Sequence, residues 1–336
     1  MMKAILVKET GGPDKAEYVD VDVPSPGKGE VLIRLKNAAL NRRDFFITHG
    51  LYPGMNLPAI LGSDGAGIVE EVGEGVSNVS VGDEVIMNPG LQWGENEAYG
   101  NKDFHILGMP TDGTYAQYVK ITSENVYQKP SHLSWEEAAA LPLAGLTAYR
   151  ALFTRGELKE GENVLVPGIG SGVSQFVMQM ALAKGANVYV TSSSEEKIAR
   201  AKELGASGGV NYQEKDWTKQ LKKLINGFDL IVDGVGGDNF NQLLSVVANG
   251  GRIVNYGATA GPVPELVLPK MFFKNMDIRG TTMGSPRDFQ KMLDLFEEHS
   301  LHPVVDKTFA LEDAAEALKY MEKGNNFGKI VLEIPQ

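Results

Sequence analysis

Apolar and polar positions alternate in short runs over the first third of the chain. Lys3-Ala4-Ile5-Leu6-Val7 and Val31-Leu32-Ile33-Arg34-Leu35 read as strands, the second with an apolar/polar alternation. Gly67-Ile68-Val69-Glu70-Glu71-Val72-Gly73 and Asp83-Glu84-Val85-Ile86-Met87 continue the pattern. Pro24, Pro26, Gly27, Gly29, Pro53, Gly54 and Pro58 punctuate it with turns. Strands packed this densely between turns predict a partly open β-barrel.

From about Tyr127 to Gly284 strand-like and helix-like runs take turns. Asn163-Val164-Leu165-Val166 predicts a strand and Val173 to Lys184 a helix. Asn187-Val188-Tyr189-Val190-Thr191 predicts the next strand. Glu195 to Leu204 predicts a helix, with Ile198, Ala201 and Leu204 at helical spacing. Asp229-Leu230-Ile231-Val232-Asp233 reads as a third strand, and Gly251 to Gly257 follows it. Such alternation predicts right-handed strand–helix–strand units and a parallel sheet. The tail holds predicted helices at Arg287–His299 and Leu311–Lys323 and a last strand, Lys329-Ile330-Val331-Leu332-Glu333. The expected organisation is a split first domain, 1–126 with 285–336, around a sheet domain at 127–284.

Composition narrows the class. The 336 residues are 43% hydrophobic and 22% charged, an ordinary balance for a folded chain. The 39 glycines exceed the average share of about 7% and point to tight turns and close backbone approaches. The formal net charge of −11 repels phosphate backbones, so nucleic acid is not an expected partner. There is no cysteine, hence no disulfide and no thiolate to bind metal or attack a substrate. No signal-peptide layout opens the sequence and no run of about 18 apolar residues occurs, so a cytoplasmic protein without a membrane partner is expected.

The strongest chemical signal is Val164-Leu165-Val166-Pro167-Gly168-Ile169-Gly170-Ser171-Gly172-Val173-Ser174. It lies between a predicted strand and a predicted helix, where backbone amides and the helix N-terminus can hold a pyrophosphate. The spacing departs from G-x-G-x-x-G, with Ser174 at the last position and an extra glycine at 172. A bare match also describes a plain tight turn. The strand, helix and strand that follow on schedule supply the context that a dinucleotide site requires.

The second strand of the sheet selects the cofactor. An acid at its end would accept hydrogen bonds from the adenosine ribose of NAD. Here the strand ends Thr191-Ser192-Ser193-Ser194, with Lys197 close behind. Hydroxyls and an ammonium suit a 2′-phosphate, which points to NADPH. The serines also read as a helix cap and Lys197 as a solvated cation, and both roles can hold together.

With these residues in place, the chain resembles the medium-chain dehydrogenase/reductases, in their zinc-lacking quinone oxidoreductase-like branch. The resemblance runs nearly end to end. It rests on the Gly-rich loop and on Asn41-Arg42-Arg43-Asp44, Leu61 to Val69, Val81-Gly82-Asp83-Glu84-Val85, Gly113-Thr114-Tyr115-Ala116-Gln117-Tyr118 and Ala144-Gly145-Leu146-Thr147-Ala148-Tyr149. It implies an α/β architecture: a GroES-like β-barrel catalytic domain, a doubly wound Rossmann cofactor domain, and an active site in the cleft between them.

Zinc-dependent members of that family use Cys, His and Cys as catalytic ligands. By motif match those positions are Asn41, Ser63 and Leu143 here, with Asp64 where the family has Glu. Leu143 cannot ligate, and Asn and Ser are poor zinc ligands. The four cysteines of the structural zinc lobe are absent. His105, alone in the 88–113 region, reads as a solvated or locally bonded side chain. No metal is expected.

The resemblance supplies the remaining expectations. Asn41 is an amide donor for the substrate oxygen, and Thr147 lies near the nicotinamide. Tyr52 offers a phenol. Phe46 stands where enoyl-thioester reductases carry a Tyr, which weakens that assignment. Asp44 reads as a brace for the local helix rather than a catalytic acid. Cofactor contacts are expected from Gly168, Ile169, Gly170, Ser171, Gly172 and Val173 of the loop, and from Ser192, Ser193 and Lys197. Tyr212, Val235, Gly257, Ala258, Met283 and Asn326 complete that set. Tyr212 also reads as a partly buried core ring. Phe45, Phe46, Trp93 and Leu143, with Tyr52 and Met283, are expected to wall an apolar substrate pocket. The implied reaction is NADPH-dependent reduction of a quinone or an activated C=C or carbonyl compound. The resemblance also implies a homodimer formed by edge strands, for which Asp277 to Met283 is a suitable segment. A zinc-type alcohol dehydrogenase and a non-catalytic, crystallin-like NADPH-binding protein are the competing readings.

Overall fold

The ten-residue strand Glu30–Ala39 organises the first half of the chain. It pairs antiparallel with Asp64–Val72, with Tyr118–Thr122 along its first half and with the C-terminal strand Lys329–Glu333 along its second. The C-terminal strand runs parallel to Val305–Ala310. Glu84–Met87 and Val126–Gln128 extend the sheet on the other side. A smaller sheet joins Ala16–Val21, Met2–Val7 and Ala59–Ile60. Ile33, Leu35, Leu61, Tyr115 and Leu332 fill the core between them. Burial of such side chains contributes about 25 cal/mol per Å² and drives closure of the barrel.

The computed structural model describes all 336 residues and divides them into two compact units, Met1–Leu146 with Gly284–Gln336, and Thr147–Met283. The C-terminal strand's pairing with Glu30–Ala39 explains why the first unit is split. Its boundary lies beyond the 126/127 position expected from sequence because the helix Trp135–Ala140 belongs with the barrel. Ala138, Ala139 and Ala140 are fully buried, and these small side chains let the helix lie close on the strands. Ser134 caps it, accepting from the Glu137 amide at 3.2 Å.

The second unit is a six-stranded parallel sheet. Across it the strands run Gly208–Asn211, Asn187–Ser192, Asn163–Val166, Phe228–Asp233, Val247–Asn255 and Asp277–Gly280. In chain order this is 3-2-1-4-5-6, the Rossmann arrangement. Asp229–Asp233, read from sequence as the third strand, is part of the fourth. Gly208–Asn211 intervenes, a strand of four residues with two glycines and too little apolar pattern to see. The helices Pro142–Tyr149, Trp217–Leu224 and Phe240–Val246 and the strand Val305–Ala310 were likewise not apparent from periodicity. Asp277–Gly280 is an edge strand. No helix is long and apolar enough to cross a membrane.

Candidate functional site

The Gly-rich loop joins the first sheet strand to the helix Gly172–Ala183. Gly168 holds φ +67°, a conformation that side-chain-bearing residues rarely adopt. The loop carbonyls are turned inward and bonded: Ser174 Oγ donates to Gly168 O at 3.0 Å and Gln175 Nε2 to Ile169 O at 2.5 Å. Ser171 caps the helix, its Oγ accepting from the Ser174 amide at 3.2 Å. The amides of Gly172 and Val173 have no acceptor in the protein and lie at the positive end of the helix. This cradle fits the pyrophosphate of a dinucleotide. Ser174, out of place in the simplest glycine motif, ties the loop down together with Gln175.

Two further strand ends meet the loop. A Cβ added to Gly168 would sit 3.1 Å from Val235, and one on Gly236 would sit 3.2 Å from Ala258. Gly257 abuts Gly234. Asp233, fully buried, accepts from the amides of Val235 at 3.1 Å and Gly236 at 3.0 Å and from Asn255 Nδ2 at 3.0 Å. Burial pushes its carboxyl above the ordinary range, against those three donors. Tyr256 runs past Gly234, where any Cβ would strike its ring, and its hydroxyl shares a hydrogen bond with Ser171. Burial pushes that phenol up. No motif in the sequence marks Asp233, Asn255 or Tyr256 for this place.

At the second strand's end the serines diverge. Ser192 is buried and its hydroxyl accepts from the Ser194 amide at 3.1 Å. Ser194 caps the helix Glu195–Glu203 by accepting from the Lys197 amide at 3.3 Å. Ser193 is exposed and Lys197 half-buried. The Tyr212 ring packs partly buried on the sheet's core cluster. Thr147 and Met283 come together, with Oγ1 4.0 Å from Sδ. Met283 carries φ +47° and is buried.

The first unit holds a closed polar cluster around Asn41. Asp64, fully buried, accepts through Oδ2 from Asn41 Nδ2 at 2.9 Å and from Lys329 Nζ at 3.0 Å, and through Oδ1 from the Leu143 amide at 2.8 Å. Lys329, 3% exposed, also donates to Asn41 Oδ1 and Leu40 O, each at 2.7 Å. Asp44 Oδ2 accepts from the Asn41 amide at 2.8 Å and the Tyr115 hydroxyl at 2.7 Å, so it braces the start of helix Arg42–Thr48 as its position suggested. Its Oδ1 has no partner. Burial pushes the Asp44 carboxyl up, opposed by Arg43, Tyr115, the Asn41 amide and Lys329.

The three positions that match zinc ligands in metal-dependent relatives are all otherwise engaged. Ser63 Oγ donates to Leu107 O at 2.7 Å and accepts from Arg43 at 2.8 Å. Leu143 offers an apolar side chain and donates its amide to Asp64, and Asn41 lies between a carboxylate and an ammonium. No group of three or more His, Cys, Asp or Glu side chains could hold a metal ion. An amide, a hydroxyl and a leucine beside a buried ammonium do not fit zinc. His105 bonds locally, to Asp103 O at 2.9 Å.

Of the other expected residues, Tyr52 is half-buried under the Arg43 guanidinium, 4.8 Å from its ring centre. Phe45 and Phe46 meet edge to face at 5.7 Å. Trp93 is buried against Phe104 and donates from Nε1 to Asn96 O at 2.8 Å, so its ring serves as an internal core for the 88–113 segment. Asn326 Nδ2 donates to Gly328 O at 2.9 Å.

Comparison with known proteins agrees with this architecture. Residues 27–131 match the alcohol dehydrogenase GroES-like domain and residues 172–298 match the zinc-binding dehydrogenase domain. A zinc-type alcohol dehydrogenase-like protein of Leptosphaeria maculans is 40% identical, over 94% of this chain and 93% of its own. A quinone oxidoreductase of Pseudomonas aeruginosa is 32% identical over 99% of both chains. Among solved structures, one described as an NAD-dependent alcohol dehydrogenase superposes with a TM-score of 0.95 at 41% identity, covering 99% of this chain and 100% of that one. A mycobacterial protein complexed with NADPH gives 0.85 at 29% identity, covering 99% and 100%.

Proposed function

Because the chain belongs to the medium-chain dehydrogenase/reductase superfamily, we propose that it is a zinc-independent, NADPH-dependent reductase of quinones or of activated C=C or carbonyl compounds. The observation that carries the zinc-free part is the Lys329–Asp64–Asn41 cluster. Leucine stands at one matched ligand position, and at another the Asn41 oxygen is taken by a buried ammonium. The choice of NADPH rests on the absence of an acid at the end of strand Asn187–Ser192, on the exposed Ser193 and on Lys197.

When bound, the nicotinamide supplies a hydride from its C4 to the electrophilic carbon of the acceptor. The cradle amides of Gly172 and Val173 would hold the pyrophosphate, and Thr147 with Met283 would hold the nicotinamide end. Asn41 would donate from Nδ2 to the substrate oxygen, where reduction would build negative charge. In a quinone or enone that charge is delocalised, so water can deliver the proton afterwards. Phe45, Phe46 and Tyr52 give the acceptor an apolar surround.

The test is NADPH oxidation with 1,4-benzoquinone and with a simple enone, each with and without EDTA, repeated with NADH. Turnover that survives EDTA and favours NADPH supports this reading. Activity abolished by EDTA overturns its zinc-free part. Tight NADPH binding with no turnover favours a cofactor-binding protein without catalysis.

A further inference from the structure

The Asn41 carboxamide is held at both ends by opposite charges. An ammonium has only donors and a carboxylate only acceptors, so the amide can face one way alone: Oδ1 toward Lys329 and Nδ2 toward Asp64. A flipped amide would set N–H groups against the ammonium and a carbonyl against the carboxylate. One Nδ2 hydrogen is used on Asp64, which leaves the second as a donor of fixed direction. Asn41 as a whole is 7% exposed.

Lys329 reaches this place through a constrained entry. Gly328 takes φ +109°, and any Cβ there would lie 2.3 Å from Val304 O. Asp306 holds the approach, accepting from the Phe327 amide at 3.0 Å and the Tyr320 hydroxyl at 2.8 Å. The Lys329 amide then donates to Val304 O at 2.9 Å, and strand pairing fixes the rest. All three ammonium hydrogens are matched by acceptors on Leu40, Asn41 and Asp64.

We propose that Lys329 is a positioning residue of the reductase site, whose buried ammonium locks the Asn41 carboxamide so that one Nδ2 hydrogen always faces the substrate oxygen. The inference rests on the donor role given to Asn41 above. Lys329 acts on the reaction through Asn41. A preoriented donor costs no reorganisation when charge develops, whereas a carboxamide free to flip presents its carbonyl part of the time and repels that charge. Lysine suits the task because its charge is compact and its three donors can be spread over three acceptors.

The experiment is a double-mutant cycle on NADPH-dependent 1,4-benzoquinone reduction, with NADPH affinity measured in parallel by fluorescence titration. N41A is expected to lower kcat by about 100-fold, the scale of a lost oxyanion donor. K329M should lower kcat by about tenfold or more with the NADPH Kd unchanged, and K329R should recover part of it. The N41A/K329M pair should be no slower than N41A alone, since the lysine has nothing left to orient. Losses that multiply in the double variant, or a K329M enzyme at full kcat, would overturn the inference while leaving Asn41's role intact. An N41A enzyme at full kcat would overturn both. K329M also leaves the buried Asp64 carboxylate without its cation and can fail to fold. A second measurement needs only the parent chain and N41A. In asparagine-labelled protein, the side-chain NH2 signal lost in N41A should show one slowly and one rapidly exchanging proton. Rapid, averaged exchange of both would overturn the fixed orientation.

Discussion

Asp233 and Asn255 lock two neighbouring strand ends of the parallel sheet together, carboxylate Oδ2 to amide Nδ2 at 3.0 Å. Asn255 Nδ2 also donates to Gly257 O at 2.8 Å, and Asp233 gathers the amides of Val235 and Gly236. One buried carboxylate thus sets the course of both turns that approach the Gly-rich loop.

Asp233→Asn should therefore damage the cofactor unit beyond the loss of a charge. The new amide nitrogen must face at least one N–H donor. Hydrogen bonds to a charged group are worth about 1.5–3 kcal/mol, and the variant should lose about 2–3 kcal/mol of stability in urea unfolding. NADPH Kd should rise about tenfold, equal to about 1.4 kcal/mol. A variant that keeps both parent values would show that the turns hold themselves.

Asp44 carries a pH signature. Burial raises its carboxyl above the unfolded value, so the native state holds the proton over a range where the unfolded chain releases it. Stability from this group is present below the ordinary carboxylate pKa and is lost as pH rises through the raised one. Asp44→Asn keeps an acceptor for the Asn41 amide and the Tyr115 hydroxyl but cannot ionise. Compared with that variant, the parent protein should lose ground as pH rises from about 4 to 8. Urea unfolding of both proteins across that range measures it. A relative gain for the parent with rising pH would contradict the burial argument.

What the sequence made legible was local. The strand–loop–helix at 163–183 could be read because its glycines, flanking apolar runs and helix cap lie within some twenty positions of one another. The Lys329 contact could not, since the lysine lies 265 positions from Asp64 and 288 from Asn41. Only the pairing of Lys329–Glu333 with Glu30–Ala39 brings them together. Helix Trp217–Leu224 leaves little apolar periodicity in the sequence because Trp217 and Leu221 alone are buried in a lysine-rich segment. Asp233 was visible as a strand residue, but its role depends on Asn255 in the adjacent strand. Trp93 was expected to wall a pocket. Its ring is spent instead on Phe104, a pairing that depends on how the 88–113 segment folds on itself.

The edge strand Asp277–Gly280 follows an apolar surface. Phe272 and Phe273 are 59% and 78% exposed, with rings 4.7 Å apart, and Leu268 is exposed beside them in sequence. We propose that a second copy of the chain pairs with this edge and covers these rings. F272D/F273D should convert a dimer to a monomer in light scattering, with an unchanged circular dichroism spectrum. A parent protein that runs as a monomer at all concentrations would refute the proposal.

The proposed preference for NADPH is tested at Lys197. Its backbone amide serves the Ser194 cap, so Lys197→Ala keeps the helix start and removes only the side chain. If the ammonium meets a 2′-phosphate, the variant loses a charge-assisted contact worth about 1.5–3 kcal/mol. NADPH Kd should then rise about ten- to hundredfold, at about 1.4 kcal/mol per decade, while NADH binding stays unchanged. Fluorescence titration with both cofactors reads this directly, and the NADPH effect should shrink in high salt as screening weakens the pair. An equal loss for NADH would place Lys197 in general support of the helix. No loss for either would leave the strand-end serines and Lys197 as a cap alone, and NADPH would cease to be the favoured cofactor.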